Sequence, residues 1–510
     1  MNSVIPFKPN LFFSWKIVFL LTAIGYLGLI CWTPVLPSLD GAMHVHNAWM
    51  LGESGVSSLV SSDILPNPAG WINITDHLLL LLFSKISDPI LAQKAIFLLI
   101  YLWGAIAWFR LFQSSDLDGS WSLGFFAVWL GWPWFMGFFN FLLGSALLLS
   151  LLPLIRLPSL KRMQMAALLL GVTLLAAIHL YVFATAGLLM ICQILASHSL
   201  FSLNSLRRCL AFVPGAMVLV LMLWMSDSYS RDLAFTSIFE KLQLLFSGQI
   251  LKGLDAGKEG RFAFWILLAI ALFGISQMIA GIKTKQKIQL SESYWIFLIS
   301  SCLLLLIIPD HIGAGSYLPY RVVFFVTLLL FPALSTIKSS LRQSWGIMLL
   351  LTIGNIGFLA YYFQFLPQHG RLARQLYLSG QQIEAGASIL SLSAETHWMH
   401  EHYSAYLALG KEAVILDNYE FSSGAFPLIL QSHHQYMIGD VKVQEIPCHT
   451  LTLPQIGPER QLDYVLILLS SSQSEICQDV PDLLNSQGFQ LLTEQEGFQL
   501  FRRIAGPDST

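Results

Sequence analysis

The stretch Pro37-Ser-Leu-Asp-Gly-Ala-Met-His-Val-His-Asn-Ala-Trp-Met-Leu-Gly-Glu53 gathers Asp40, His44, His46, Asn47 and Glu53 within a few turns. If the chain is helical from Gly41 onward, Asp40 stands at the N-cap. His44 then lies one turn on along the same face, and Asn47 continues the stripe. A carboxylate in such a place can take a proton from an acceptor hydroxyl or hold a divalent cation. The imidazoles and the amide can bind a polar substrate. The bland alternative is a solvated helix lying on a membrane surface.

That second reading arises because an apolar run from Trp15 to Pro37, long enough to cross a bilayer, precedes the stretch directly. Of the 510 residues, 55% are hydrophobic and 11% charged, against about 25% charged in soluble domains. Mean hydropathy is +0.64. The expected fold class is therefore an α-helical polytopic membrane protein. A net charge of −2 and the lack of a basic tract give no sign of nucleic acid as a partner. The first run has no small-residue cleavage site and is read as an uncleaved span.

Apolar runs recur near 15–37, 89–112, 120–137, 139–156, 163–177, 179–197, 209–226, 261–282, 293–309, 321–337 and 343–365. The stretch Gln164–Ala196 is too long for one ordinary crossing and short for two. Basic clusters decide. With two crossings, Lys8 and Lys16, Arg156 with Lys161 and Arg162, Arg207 with Arg208, Lys283 with Lys285 and Lys287, and Lys338 with Arg342 share one side. The positive-inside rule then gives about eleven spans, a cytoplasmic N-terminus and an extracytoplasmic C-terminus. A re-entrant pair broken near His179 has the same parity.

On this topology the outer face collects the polar residues. A long first loop, 37–89, holds Asn67, Trp71, Asn73, Asp76 and His77. The turn Gly137-Phe-Phe-Asn140, the break at His179, and Pro309-Asp-His-Ile-Gly-Ala-Gly-Ser-Tyr-Leu-Pro-Tyr-Arg321 face the same way. His179 otherwise reads as a packing histidine in an apolar run. Arg321 is either a snorkelling arginine or a clamp whose paired donors grip a lipid-borne phosphate. His311 is the next candidate for that contact. Beyond about Phe365 the chain turns polar. Ala413–Leu416 and Tyr464–Leu469 read as buried strands, Asp479–Gln487 as a helix, and the segments from Phe489 and Phe498 as alternating strands. Two domains are expected: a membrane domain, 1–365, and a small extracytoplasmic α/β domain, 366–510. Of six cysteines, Cys31, Cys192, Cys209 and Cys302 sit in apolar runs as packing residues. Cys448 and Cys477, in the tail, form either a disulfide or two buried thiols. No phosphate loop, GxSxG elbow or HExxH motif occurs.

The uncleaved first span ending in an aspartate, the long outer loop, the span count and the outer C-terminal domain together resemble the GT-C class of integral-membrane glycosyltransferases. More narrowly, Asp40-Gly-Ala-Met-His44-Val-His-Asn47-Ala, Pro66-Asn-Pro-Ala-Gly-Trp71, Asp76-His77 and Gly137-Phe-Phe-Asn140-Phe-Leu-Leu-Gly144 are similar to a poorly characterised bacterial family related to that class. Ala42 stands where that family's pattern has proline. The resemblance implies inverting transfer from a polyprenyl-phosphate-linked sugar to a glycan, lipid or protein acceptor. It makes Asp40 the catalytic base or metal-anchoring group. The substrate-binding candidates are His44, Asn47, His77, His179, His311 and Arg321. A divalent cation is the one cofactor admitted. Many GT-C enzymes carry a second acid in this loop; Asp40 has no acidic neighbour in sequence, and Glu53, Asp63 or Asp76 would have to supply it. The rival readings are a transporter or flippase of a lipid-linked substrate, and a non-catalytic assembly partner. Charges kept to one membrane edge, with no internal repeat, favour the enzyme.

Overall fold

In the bilayer core no water satisfies backbone polar groups, so apolar runs must close their hydrogen bonds within helices. The computed structural model describes residues 14–53, 64–67, 70, 74–114, 117–157, 159–197, 202–225, 233–284, 293–312, 316–337, 339–394, 397–423, 426–430, 462–469 and 480–504. Asp63, Trp71, Asn73, Cys448 and Cys477 lie outside them.

Six described helices are long and apolar enough to cross a membrane: α1 (Trp15–Trp32), α4 (Pro89–Gln113), α5 (Phe139–Arg156), the segment Gly257–Gln277, α8 (Leu318–Ser335) and α9 (Leu341–Gly380). Two helices of the first loop come between α1 and α4: α2 (Gly41–Glu53), which is buried along most of its length and not a solvated surface helix, and α3 (Thr75–Ser84). Shorter apolar helices follow α5, namely α6 (Arg162–Ile178) and α7 (Leu180–Ala196), with Ser293–Ile307 further on. The ambiguous stretch is thus two helices. They hinge on one residue, His179, whose extended backbone (φ −162°, ψ 113°) belongs to neither.

The run 120–137 departs from expectation. It is not one continuous helix but a 3-10 turn (Gly119–Leu123) and two short helices, Gly124–Trp129 and Trp132–Met136, interrupted at Gly131 with a proline in the next first turn, and it still runs the length of α1, from Gly119 beside Trp15 to Gly137 beside Asp40. Trp121, Phe125, Phe126, Val128 and Trp129 are fully buried. The segment is apolar because protein surrounds it, and composition alone cannot tell that from lipid. Of the cysteines in apolar runs, Cys192 is buried as a packing residue, whereas Cys31 and Cys209 are exposed.

Helix α9 passes without a break through residue 365, where the composition changes, and delivers the chain to a small sheet domain. Besides short pairs of β1 (Ile64–Pro66) with β6 (Leu428–Leu430) and β2 (Leu233–Ala234) with β3 (His311–Ile312), the structure has a five-stranded sheet. It is built from β4 (Ser388–Ala394), β5 (Val414–Ile415), β7 (Tyr464–Leu469), β8 (Phe489–Gln495) and β9 (Phe498–Arg503), in the order β5-β4-β7-β9-β8. Strand β4 runs parallel to both neighbours, and β9 is antiparallel to β7 and β8.

This domain grips the first loop. Strands β1 and β6 pair antiparallel, Ile64 opposite Leu430. Asn67 donates from its backbone N–H to the Pro427 carbonyl (2.7 Å) and from its amide to that of Phe426 (2.8 Å). Met50 and Ile64 of the loop share a hydrophobic core with Leu390, Val414 and Leu428. First loop and C-terminal domain therefore stand on the same side of the helical layer.

Candidate functional site

One turn, Phe135–Phe141, organises the site. Gly137 takes a left-handed conformation (φ +81°), open to glycine at little steric cost. The carbonyls just before it accept hydrogen bonds from the first loop: Leu39 N–H to Phe135 O (2.9 Å) and Asp40 N–H to Met136 O (3.1 Å). Asp40 immediately precedes α2, and its carbonyl accepts the His44 N–H (3.0 Å), the N-terminal position expected of it. Its side chain is 10% exposed. Tyr419 hydrogen-bonds it, and His402 Nε2 lies 3.7 Å from Oδ1. The rings of His402 and Tyr419 stack at 4.9 Å. A phenol and an imidazole of this kind orient a carboxylate.

Among the described residues, the groups of metal-ligand type gather one turn beyond Asp40, where His44 of α2 meets Asp76 and His77 of α3. The expected partner acids divide accordingly. Asp76 faces the histidines, and Glu53 is half-exposed at the end of α2. A fourth member, Glu420, comes from the helix Tyr419–Ser423 of the C-terminal domain. Together they close a ring. His77 Nδ1 is 2.8 Å from Asp76 Oδ1 and its Nε2 is 3.1 Å from Glu420 Oε2. On the opposite side, His44 Nδ1 is 3.4 Å from Asp76 Oδ2 and 3.0 Å from Glu420 Oε1. Asn47 donates to Glu420 Oε2 (2.6 Å) and accepts from Asn418 (2.7 Å). Asn140 clamps Asp76, accepting its backbone N–H (2.9 Å) and donating to Oδ1 (2.8 Å).

Charge in the ring is set by mutual compensation. Burial disfavours the imidazolium of His77, but Asp76 and Glu420 outweigh it and push its pKa up to about 10. His44 rises for the same reason, with Glu420 the larger influence. Burial works against the charged carboxylates too, yet the histidines hold Asp76 and Glu420 below the usual range. His46 lies off this face, as the stripe argument expects. It is fully buried, and desolvation lowers its pKa to about 4, as for a structural histidine.

His179 and Arg321 meet. Arg321 Nη1 donates to His179 Nε2 (3.0 Å), and the guanidinium lies over Phe138 (4.9 Å) and Phe141 (5.7 Å) of the organising turn. His179 is buried. This is a positioned arginine rather than one reaching for headgroups. His311 lies in β3, opposite Ala234 of β2, beside Asp310, whose carbonyl accepts the Leu318 N–H at the start of α8 (3.0 Å). Sequence reasoning missed Glu420, Tyr419 and His402 as site residues and took Asn140 for a turn residue. A signal existed: Asp417-Asn-Tyr-Glu420 directly follows the apolar segment Ala413–Leu416. The carboxyl ends of parallel strands are where α/β sheets place their functional groups.

No protein-family profile matches the chain, and no curated protein does. Among solved structures, the chain is similar to ArnT from Cupriavidus metallidurans bound to undecaprenyl phosphate. The TM-score is 0.55 at 10% identity, over 97% of this chain and 99% of that one. The apo structure of the same protein gives 0.49 at 10% identity, with the same coverage. At such identity the likeness is one of fold, and the fold is that of the GT-C class.

Proposed function

We propose that the protein is a membrane glycosyltransferase that moves a sugar from a polyprenyl-phosphate-linked donor to an acceptor at the extracytoplasmic face. The observation that carries this reading is the shared turn. Its carbonyl at Met136 holds Asp40, and its Phe138 and Phe141 rings seat Arg321. Acid and arginine are thereby anchored on the same turn, in a fold like that of a protein crystallised with undecaprenyl phosphate. In the proposed step an acceptor hydroxyl attacks the anomeric carbon and Asp40 takes its proton. The bond from that carbon to the phosphate oxygen breaks with inversion, and the lipid phosphate departs. Arg321, braced by His179, compensates the charge of the leaving phosphate.

Two expected results follow from this. Arg321→Lys keeps the charge but loses the planar fork, so donor binding weakens; Arg321→Ala weakens it further, by roughly 10- to 100-fold in all, the worth of a hydrogen bond to a charged group. Donor titration of the two variants checks it, and identical donor dependence in all three proteins reassigns Arg321 to packing. Second, alkaline phosphatase fused after Thr510 is active, and a reporter that works only in the cytoplasm is silent there, because basic clusters place the inner side. The reverse pattern turns the site inward.

A further inference from the structure

Two buried atoms in the ring stand out. Asp76 Oδ2, on a side chain 1% exposed, has no hydrogen-bond partner among the described residues, and His44 Nδ1, on a side chain 7% exposed, has one N–H to offer to two carboxylates. The two atoms are 3.4 Å apart, and Glu420 Oε1 is 3.0 Å from the same nitrogen. One Nδ1–H can serve only one of the two oxygens, so the buried Asp76 Oδ2 is left over. These separations are those of ligands of a common cation: tetrahedral ligands about 2.0–2.2 Å from zinc are roughly 3.3 Å from one another.

We infer that His44 Nδ1, Asp76 Oδ2 and Glu420 Oε1 form a binding site for a zinc-class divalent cation that ties the first loop to the C-terminal domain. One imidazole nitrogen and two carboxylate oxygens suit a first-row divalent ion better than calcium or magnesium, which prefer oxygen alone. The rest of the ring supplies the outer support that metal sites require. His77 bridges the far oxygens, Asp76 Oδ1 and Glu420 Oε2, and so restrains both carboxylates. Asn140 and Asn47 grip the same two oxygens from other helices. Each carboxylate therefore keeps one oxygen committed to the protein and turns the other towards His44. Because Glu420 belongs to the C-terminal domain and the other ligands to the first loop, the cation fastens the covering domain over Asp40. Asp40 itself is not a ligand. The inference rests on this geometry and not on sugar transfer.

The test uses the full-length protein, purified in detergent with a histidine-free tag and no chelator. It is equilibrated with zinc, desalted and measured by inductively coupled plasma mass spectrometry. Expected are about one zinc per chain in wild type, a fall of roughly tenfold or more in His44→Gln and Asp76→Asn, and no change in His46→Gln. Zinc should also raise the Tm of chelator-stripped wild type, a readout independent of whether the variants fold. Wild type with no retained zinc and no thermal shift, or His44→Gln with full zinc content, overturns the site and leaves a ring held by protons alone. Either metal outcome leaves the transferase reading standing, since the latter is read from donor consumption and Asp40.

Discussion

Asp40→Asn lowers transfer by about 100- to 10,000-fold, the usual worth of a general base, while the protein still inserts and folds. The substitution preserves size and removes only the charge and the ability to take a proton. The backbone contacts that hold the residue, Asp40 N–H to Met136 O and Asp40 O to His44 N–H, are indifferent to the side chain. Tyr419 and His402 retain a polar partner in the amide. The readouts are steady-state turnover with saturating donor and acceptor, and gel-filtration behaviour in detergent. Turnover near wild type reduces Asp40 to a helix-start residue and moves the chemistry elsewhere.

Gly137→Ala has the next largest effect, although residue 137 has no chemistry of its own. Its φ of +81° costs an L-residue about 1–2 kcal/mol. The added Cβ would stand 2.9 Å from Gly41 N and 3.3 Å from Asp40 N. The strain is relieved only by moving the segment that carries Asp40. A shift of about 1 Å at a reacting group is worth on the order of 100-fold in rate. The expected variant folds with a lowered Tm, loses kcat by roughly that factor and keeps its donor KM within a few-fold. An unchanged kcat means that the turn does not position the acid.

The site was legible where it is local. A helix beginning beside Asp40 and carrying His44 and Asn47 on one face can be read from spacing, and α2 has that form. The break at His179 followed from run length and the side on which lysines and arginines fall. Contacts between distant segments left no such trace. Glu420 reaches His44 across most of the chain, and Asn140 clamps Asp76 from another helix. Neither has a periodic pattern to announce it. Strand β4, Ser388-Ile-Leu-Ser-Leu-Ser-Ala394, was passed over because serines interrupt its apolar residues. Ser388 and Ser391 are nonetheless buried, and the Ser388 hydroxyl bonds Asp463 (2.9 Å).

Purified protein in liposomes containing a polyprenyl phosphate bearing a radiolabelled sugar, with candidate acceptors outside, tests the central claim most directly. Wild type should release polyprenyl phosphate in step with labelled product, and Asp40→Asn should release neither. Label that crosses the bilayer while still joined to its lipid, equally in both proteins, would contradict transfer and make the protein a carrier of the lipid-linked sugar.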